Sequence, residues 1–452
     1  MGCLLAAGLL SISKTRAADG PTLTISLSTN ANEVDLSFTA TNGISYEIRS
    51  GNTLTNFSAV DTLTGTGTTI TRSYSTSGKS NEFYQVVETT SSGTGLPSGM
   101  NMVNIPAGSF TMGDNNFKGP LADDHSPERT VNVSAFQMSE AEVTVAQYVE
   151  FLNAAMTAGI IKVAEGVPAG TGTFVFGNDN QTFAGRKLLD LTGSRVLKDH
   201  DKDGDIDPEN PLNQCWIEYN ATTKVFSVKD PQAIDWDAFP YEQNIEAGVN
   251  ETRADWPELA AGSIPTQTDV AGWPVTFIKW YGAKIFAEFY GYDLPTEAQW
   301  EYAAKGGQNY AYGTVDGTID NTKANYNELN SHPDTGHVVT VKSYAANPFG
   351  IYDLAGNVWE WCRDWYNPSY YSTRPDPDTD PYNDQLVLET TEPVEAPTYT
   401  GGPGQPYNGD TRVKRGGSWN FHQSAEGSAA RERDYTWRGN DHFGIRLVKD
   451  GQ

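Results

Sequence analysis

A change of texture near residue 100 constrains this chain more than any other feature of its sequence. From 21 to 90, short runs alternate apolar and polar side chains, as in Leu23-Thr24-Ile25-Ser26-Leu27, Val34-Asp35-Leu36-Ser37-Phe38, Tyr46-Glu47-Ile48 and Phe83-Tyr84-Gln85-Val86-Val87. A period of two means half-buried strands. With Thr, Ser, Asn and Gly in the gaps and no helical period, this stretch is expected to form a small all-β sandwich of the immunoglobulin or fibronectin kind. Residues 91–99, opening on Ser91-Ser92-Gly93-Thr94-Gly95, read as a linker that leaves its two sides free to reorient.

From Met102 onward a few well-marked helices stand among turns. Thr144 and Gln147 are spaced as a capping box for a helix over about 143–155, with Val145, Tyr148, Val149 and Leu152 on its apolar face. A second helix is expected over Thr276–Tyr290, stopped by Gly291 as a left-handed cap. A third follows Pro295, with Thr296 and Gln299 as its capping box and Trp300, Tyr302 and Ala303 turned inward. Residues 157–270 and 367–411 show little periodicity and much Gly, Pro, Asp and Asn, so they read as insertions in a domain spanning 100–452.

Charge and cysteine usage narrow the class. The 57 acidic residues against 31 basic ones give a formal charge of −26, which repels phosphate backbones and favours bound cations; nucleic acid is excluded as a partner. The apolar run Leu4 to Leu10, with Thr15-Arg16-Ala17 before Ala18, reads as an export signal over 1–17. No later stretch reaches the roughly 18–20 apolar residues that span a bilayer, so the mature chain is expected to be secreted or periplasmic with no membrane span. Of three cysteines, Cys3 leaves with the signal, and Cys215 and Cys362 are a candidate disulfide.

The helices lie within a series of motifs running from Ile105 to Arg446. These are Ile105-Pro106-Ala107-Gly108-Ser109-Phe110-Thr111-Met112-Gly113, Glu142-Val143-Thr144, and Leu294-Pro295-Thr296-Glu297-Ala298-Gln299-Trp300-Glu301-Tyr302-Ala303-Ala304. Then come Gly350-Ile351-Tyr352-Asp353-Leu354-Ala355-Gly356-Asn357-Val358-Trp359-Glu360-Trp361, Arg415-Gly416-Gly417-Ser418-Trp419, and Phe443-Gly444-Ile445-Arg446. In this order they resemble the formylglycine-generating enzyme, or sulfatase-modifying factor, family. The resemblance implies an α+β domain rich in irregular structure and related to C-type lectins.

It also implies a chemistry that this chain departs from. Active members of the family carry a cysteine pair after the Gly-Gly-Ser motif, which binds copper and oxidises a substrate cysteine to formylglycine with dioxygen. Soft thiolates select monovalent copper, and here Phe421 stands where the first cysteine belongs and Glu426 where the second belongs. Copper is therefore not expected. Ser418 matches a serine beside the family's active site, and the cleft candidates are Ser418, Trp419, Phe421, His422 and Glu426, with Trp437 on the same surface. His422 and His442 read as hydrogen-bonded or surface histidines rather than metal ligands. The lectin-like resemblance also places Asn420, His422, Asn440, Asp441 and His442 where diversified relatives vary their binding residues.

Calcium is the expected cofactor. Asp199, Asp201, Asp203, Asp205 and Asp207, with Gly204 at position 6 and Ile206 at position 8, follow the spacing of a calcium loop, although Asn210 occupies position 12 where a bidentate Glu is usual. The family resemblance implies two further sites. One would use Asp353, Glu360 and the carbonyls of Gly356 and Val358; the other Asn325, the carbonyl of Tyr326 and, more loosely, Asp334.

Three functions from different classes stay open at this point. The chain is an extracellular module binding a protein, peptide or glycan ligand, or an enzyme of unrecognised chemistry on the same cleft, or an atypical formylglycine-generating oxidase acting on sulfatases.

Overall fold

The computed structural model describes residues 95–116, 125–166, 172–179, 183–193, 211–238, 262–327, 336–385 and 411–451, with strand segments between 3 and 89 and short pieces between 243 and 260. Within 21–90 the alternating runs at 23–27, 34–38, 46–48 and 83–87 lie in strands, joined by two more. Leu23–Leu27, Glu33–Thr39 and Thr69–Ser75 form one antiparallel sheet, and Asn56–Thr64, Ser45–Thr53 and Phe83–Thr89 form another.

The larger domain is built on helices and several small sheets. Helix α1 runs Val145–Thr157, and its Thr144 hydroxyl accepts from the Gln147 amide while the Gln147 side chain returns to the Thr144 N–H. That capping box satisfies two of the amides a helix start leaves open, worth about 1 kcal/mol. Helix α2 is the short Gln267–Ala271 turn. Helix α3 covers Trp280–Phe289 and ends before Gly291, whose φ of +76° suits only a residue without Cβ strain. It starts four residues later than its apolar pattern implies, because Phe277 sits at φ +60° with its amide bonded to the Asn440 carbonyl and the Lys279 amide is bonded to the Leu188 carbonyl. Helix α4, Glu297–Ala304, has the expected capping box from Thr296 and Gln299 and is buried on every side.

Two apolar cores follow. In the first, the Phe151 ring lies 5.2–5.3 Å from those of Tyr148, Phe286 and Phe289, so α1 and α3 meet through an aromatic cluster in which each pair adds roughly 0.5–1.5 kcal/mol beyond area burial. In the second, Trp300, Tyr302 and Ala303 of α4 pack with Ile105, Val131, Met138 and Cys362. A four-stranded sheet ties the two cores together. Its order is Arg431–Tyr435, Thr411–Arg415, Trp359–Trp365, Phe443–Gly444, antiparallel except for the last pair.

The stretch 157–270 contributes more order than its texture suggests. Ile161–Glu165, Thr173–Gly177 and Lys187–Asp190 form a three-stranded sheet, and Ile217–Asn220 with Val225–Val228 a hairpin, whose inward residues join the first core. In 367–385, Asp378–Thr379 adds a parallel strand beside Arg129–Val133. The described part of the linker is also docked, since Ser98 donates its amide to Glu150 and accepts from the Gln147 side chain while Leu96 and Met100 pack against the first core. No helix among the described residues is long and apolar enough to cross a membrane.

Candidate functional site

The Gly-Gly-Ser motif leaves the Thr411–Arg415 strand as a turn that needs its glycines: Gly416 is at φ +100° and Gly417 at +72°, and a Cβ on Gly417 would collide with the Glu426 carboxylate. Behind that turn the Ser418 amide donates to Glu426 Oε1 at 3.2 Å. Glu426 is fully buried, and burial pushes its carboxyl well above the usual range although the Ser418 and Gly356 amides pull the other way. Its Oε2, together with the hydroxyls of Ser418 and Ser428, has no hydrogen-bond partner. Burial thus favours the neutral form of Glu426 behind the Gly417–Ser418 turn.

Phe421 faces elsewhere. Its ring meets Trp359 at 5.4 Å and His442 at 5.6 Å, both edge to face, and its amide and carbonyl are held by Ser418 and Asn327. Trp419 is buried, with its indole donating to the Asp441 carbonyl and its amide to Asn357. His422 caps the Gln423–Ala425 turn by accepting the Ser424 amide at Nδ1, and His442 is buried with its Nδ1 3.0 Å from Asp441 Oδ1. The structure thus brings Trp359, Phe421 and His442 into one aromatic cluster, with Trp419 buried in the same core as Trp359 and the Ser418 amide bonded to Glu426. The ring partner of Trp437 is Tyr435, at 5.4 Å and nearly parallel. Half-buried Asn420, Phe421, His422, Trp437 and Asn440 and exposed Gln423 and Arg438 form the accessible rim.

The implied cation sites test differently. Asp199, Asp201, Asp203, Asp205, Asp207 and Asp334 lie outside the described residues. In the turn from Asp353 to Glu360, both Glu360 oxygens are taken by Arg446, Nε to Oε2 at 2.5 Å and Nη2 to Oε1 at 2.6 Å, and Oε2 also accepts from the Trp300 indole at 2.7 Å. Asn325, expected in the neighbouring site with the Tyr326 carbonyl, donates its Nδ2 to the His337 carbonyl at 3.1 Å and to Asn357 Oδ1 at 3.3 Å. Calcium takes six to eight oxygen ligands, and in the set Asp353, Gly356, Val358 and Glu360 the Glu360 carboxylate is already committed to Arg446 and Trp300. Among the described residues no group of three or more His, Cys, Asp or Glu side chains is arranged to hold a metal. The candidate disulfide is not formed: Cys215 and Cys362 are separate buried thiols, each pushed up by burial, Cys215 to about 11.

Sequence reasoning missed the side chains that organise this region. Asn357, at φ +63°, donates to Glu142 Oε2 at 2.7 Å and accepts from the Val339 amide at 2.9 Å, while the Val358 amide donates to Glu142 Oε1. Burial, then Asp353 and Glu360, push the Glu142 carboxyl well up. Both residues stand inside the quoted motifs, but nothing in a linear sequence pairs positions 215 apart.

Comparison with known proteins agrees with the motif order. The formylglycine-generating enzyme of Streptomyces coelicolor is 29% identical over 363 residues, covering 77% of this chain and 88% of that enzyme. The serine/threonine-protein kinase pkn1 of Chlamydia pneumoniae is 35% identical over 190 residues, 42% of this chain and 26% of the kinase, so the chain spans about a quarter of that relative. The solved structure of PvdO from Pseudomonas aeruginosa is similar over 78% of this chain and 99% of that one, at 17% identity and a TM-score of 0.43. With residues 88–451 matching the model of the sulfatase-modifying factor enzyme 1-like domain, the chain belongs to that family.

Proposed function

We propose that this protein is an exported, calcium-stabilised ligand-binding member of the family that does not carry out copper-dependent formylglycine formation. The observation that carries the proposal is the divergence of the two positions where the cysteine pair belongs. Phe421 closes an aromatic patch with Trp359 and His442, and Glu426 is a buried carboxyl that accepts the Ser418 amide. Neither side chain supplies a soft donor for monovalent copper. The remaining surface, aromatic and amide side chains on loops held by a rigid core, suits recognition of a protein, peptide or glycan. Calcium would be held by the Asp199–Asn210 loop, and residues 21–90 would form the immunoglobulin- or fibronectin-like sandwich that spaces this surface from a neighbour.

The 29% identity to a formylglycine-generating enzyme over most of both chains favours one alternative, an atypical oxidase acting on sulfatases. Purified protein given copper, dioxygen and a peptide carrying the sulfatase Cys-x-Pro-x-Arg motif decides between them. Mass spectrometry should find the peptide cysteine unmodified; conversion to the aldehyde would overturn the proposal and make Cys362 the first residue to replace.

A further inference from the structure

The Tyr352–Glu360 turn carries more buried carboxylate than its neighbours neutralise by hydrogen bonds alone. Glu142 and Glu360 are at most 2% exposed, and Asp353 lies beside them, with its Oδ2 accepting the Lys342 amide at 2.7 Å. One side chain faces them all. Arg446 is fully buried and reaches five oxygens: both of Glu360, and the carbonyls of Tyr352 at 3.0 Å, Asp353 at 3.3 Å and Ser139 at 3.3 Å. A shell of carboxylate and carbonyl oxygens gathered around one positive centre is what a hard cation would collect. Here a guanidinium stands at that centre, and its planar fork matches the carboxylate in a way a spherical ion does not.

We infer that Arg446 is the permanent cation of this turn, so that the turn binds no metal. A second cation would have to enter beside a buried guanidinium with both Glu360 oxygens and Asp353 Oδ2 already accepting hydrogen bonds. The turn would then be held by a charge that neither a chelator nor a change in calcium concentration can remove. The Asp199–Asn210 loop would be left as the candidate calcium site.

The experiment separates the two sites. In full-length protein carrying Asp201→Asn and Asp203→Asn, which removes the acidic loop, the melting temperature should be the same in chelator and in millimolar calcium, and terbium should give no emission sensitised by Trp300, Trp359 or Trp361. A calcium-dependent rise of several degrees, the scale expected at a hundredfold excess over Kd, or terbium emission in that variant would overturn the inference. Loss of a calcium effect between the unsubstituted chain and the double variant reports on the loop instead, so failure of either idea is read separately. In Arg446→Met on the same background, removal of the fork frees the Glu360 oxygens and a calcium-dependent rise should appear. Arg446→Lys, which keeps a charge but not the fork, should melt below the double variant and above Arg446→Met.

Discussion

Arg431 closes on Glu297 through two hydrogen bonds, Nε to Oε1 at 2.7 Å and Nη2 to Oε2 at 2.9 Å, with neither side chain more than 2% exposed although 134 positions separate them. The pair belongs to a larger buried network. Arg415 bonds Glu301, Lys305 stands 2.8 Å from Glu301, and the Gly113 amide donates to Glu301 at 2.7 Å. This ties α4 to the last two long strands and to the first motif.

Removing Arg431 leaves the Glu297 charge buried with only Arg415, 3.5 Å away and shared with Glu301, to compensate it. Arg431→Met should lower stability by roughly 3–5 kcal/mol, whereas the double change Arg431→Met with Glu297→Gln should recover part of the loss because no isolated charge remains. Urea unfolding of both variants checks this. A double variant no more stable than Arg431→Met would show that the network acts through shape rather than charge.

The buried thiols give a second prediction. Cys215 and Cys362 are both buried and both pushed toward the thiol form, so neither should react with Ellman's reagent in the native state at pH 8. In denaturant without reductant both should react at once, beyond any signal from Cys3. A denatured, unreduced sample in which the pair stayed silent would mean that they are joined.

What the sequence made legible was what is local. The capping boxes Thr144/Gln147 and Thr296/Gln299 are closed within four residues, so the starts of α1 and α4 could be read directly. The start of α3 could not, because the residues before it answer to Asn440 and Leu188 on distant loops. The same distinction runs through the site. Motif order locates the Gly416–Gly417 turn, but that Glu426 folds beneath it, that Phe421 turns to Trp359, and that Arg446 takes both oxygens of Glu360 are tertiary facts. Short strands such as Lys187–Asp190 escaped notice because four residues carry too little alternation to stand out among Gly and Asp.

Asp364 gives a prediction in pH. Its oxygens accept from the Glu297 and Asn383 amides at 2.8 and 2.9 Å, yet burial, and next the Glu297 charge, push its carboxyl up to about 7. Since the unfolded value is about 3.9, the native state holds this proton more tightly than the unfolded chain. The resulting stabilisation is fully present below pH ~4 and is lost as pH rises toward 7, by up to about 1.4 kcal/mol per unit. Asp364→Asn cannot titrate, so whatever fixed cost it carries, it should gain on the unsubstituted protein between pH 5 and 7.5 in urea midpoints. A difference between the two proteins that does not change with pH would contradict the assignment.

The last prediction asks whether the backbone still holds the geometry that the family's chemistry needs. Phe421→Cys with Glu426→Cys restores both thiolates to a loop whose ends are fixed: the residue 421 amide and carbonyl are bonded to Ser418 and Asn327, and the Glu426 amide is bonded to Gln423. Opening the site removes the ring that meets Trp359 and His442 and a buried carboxyl whose Oε2 has no hydrogen-bond partner. Both thiols should therefore find room, and the double variant should bind monovalent copper weakly in competition with a chromogenic chelator, while each single variant should not. Turnover of the sulfatase-motif peptide should stay absent, because catalysis also needs a first shell held to within about 0.5 Å and a groove shaped for an extended peptide. Copper binding by neither single nor double variant would mean that the loop from Ser418 to Glu426 has been rebuilt away from the family's site, and peptide oxidation by the double variant would mean that only two side chains separate this protein from an active oxidase.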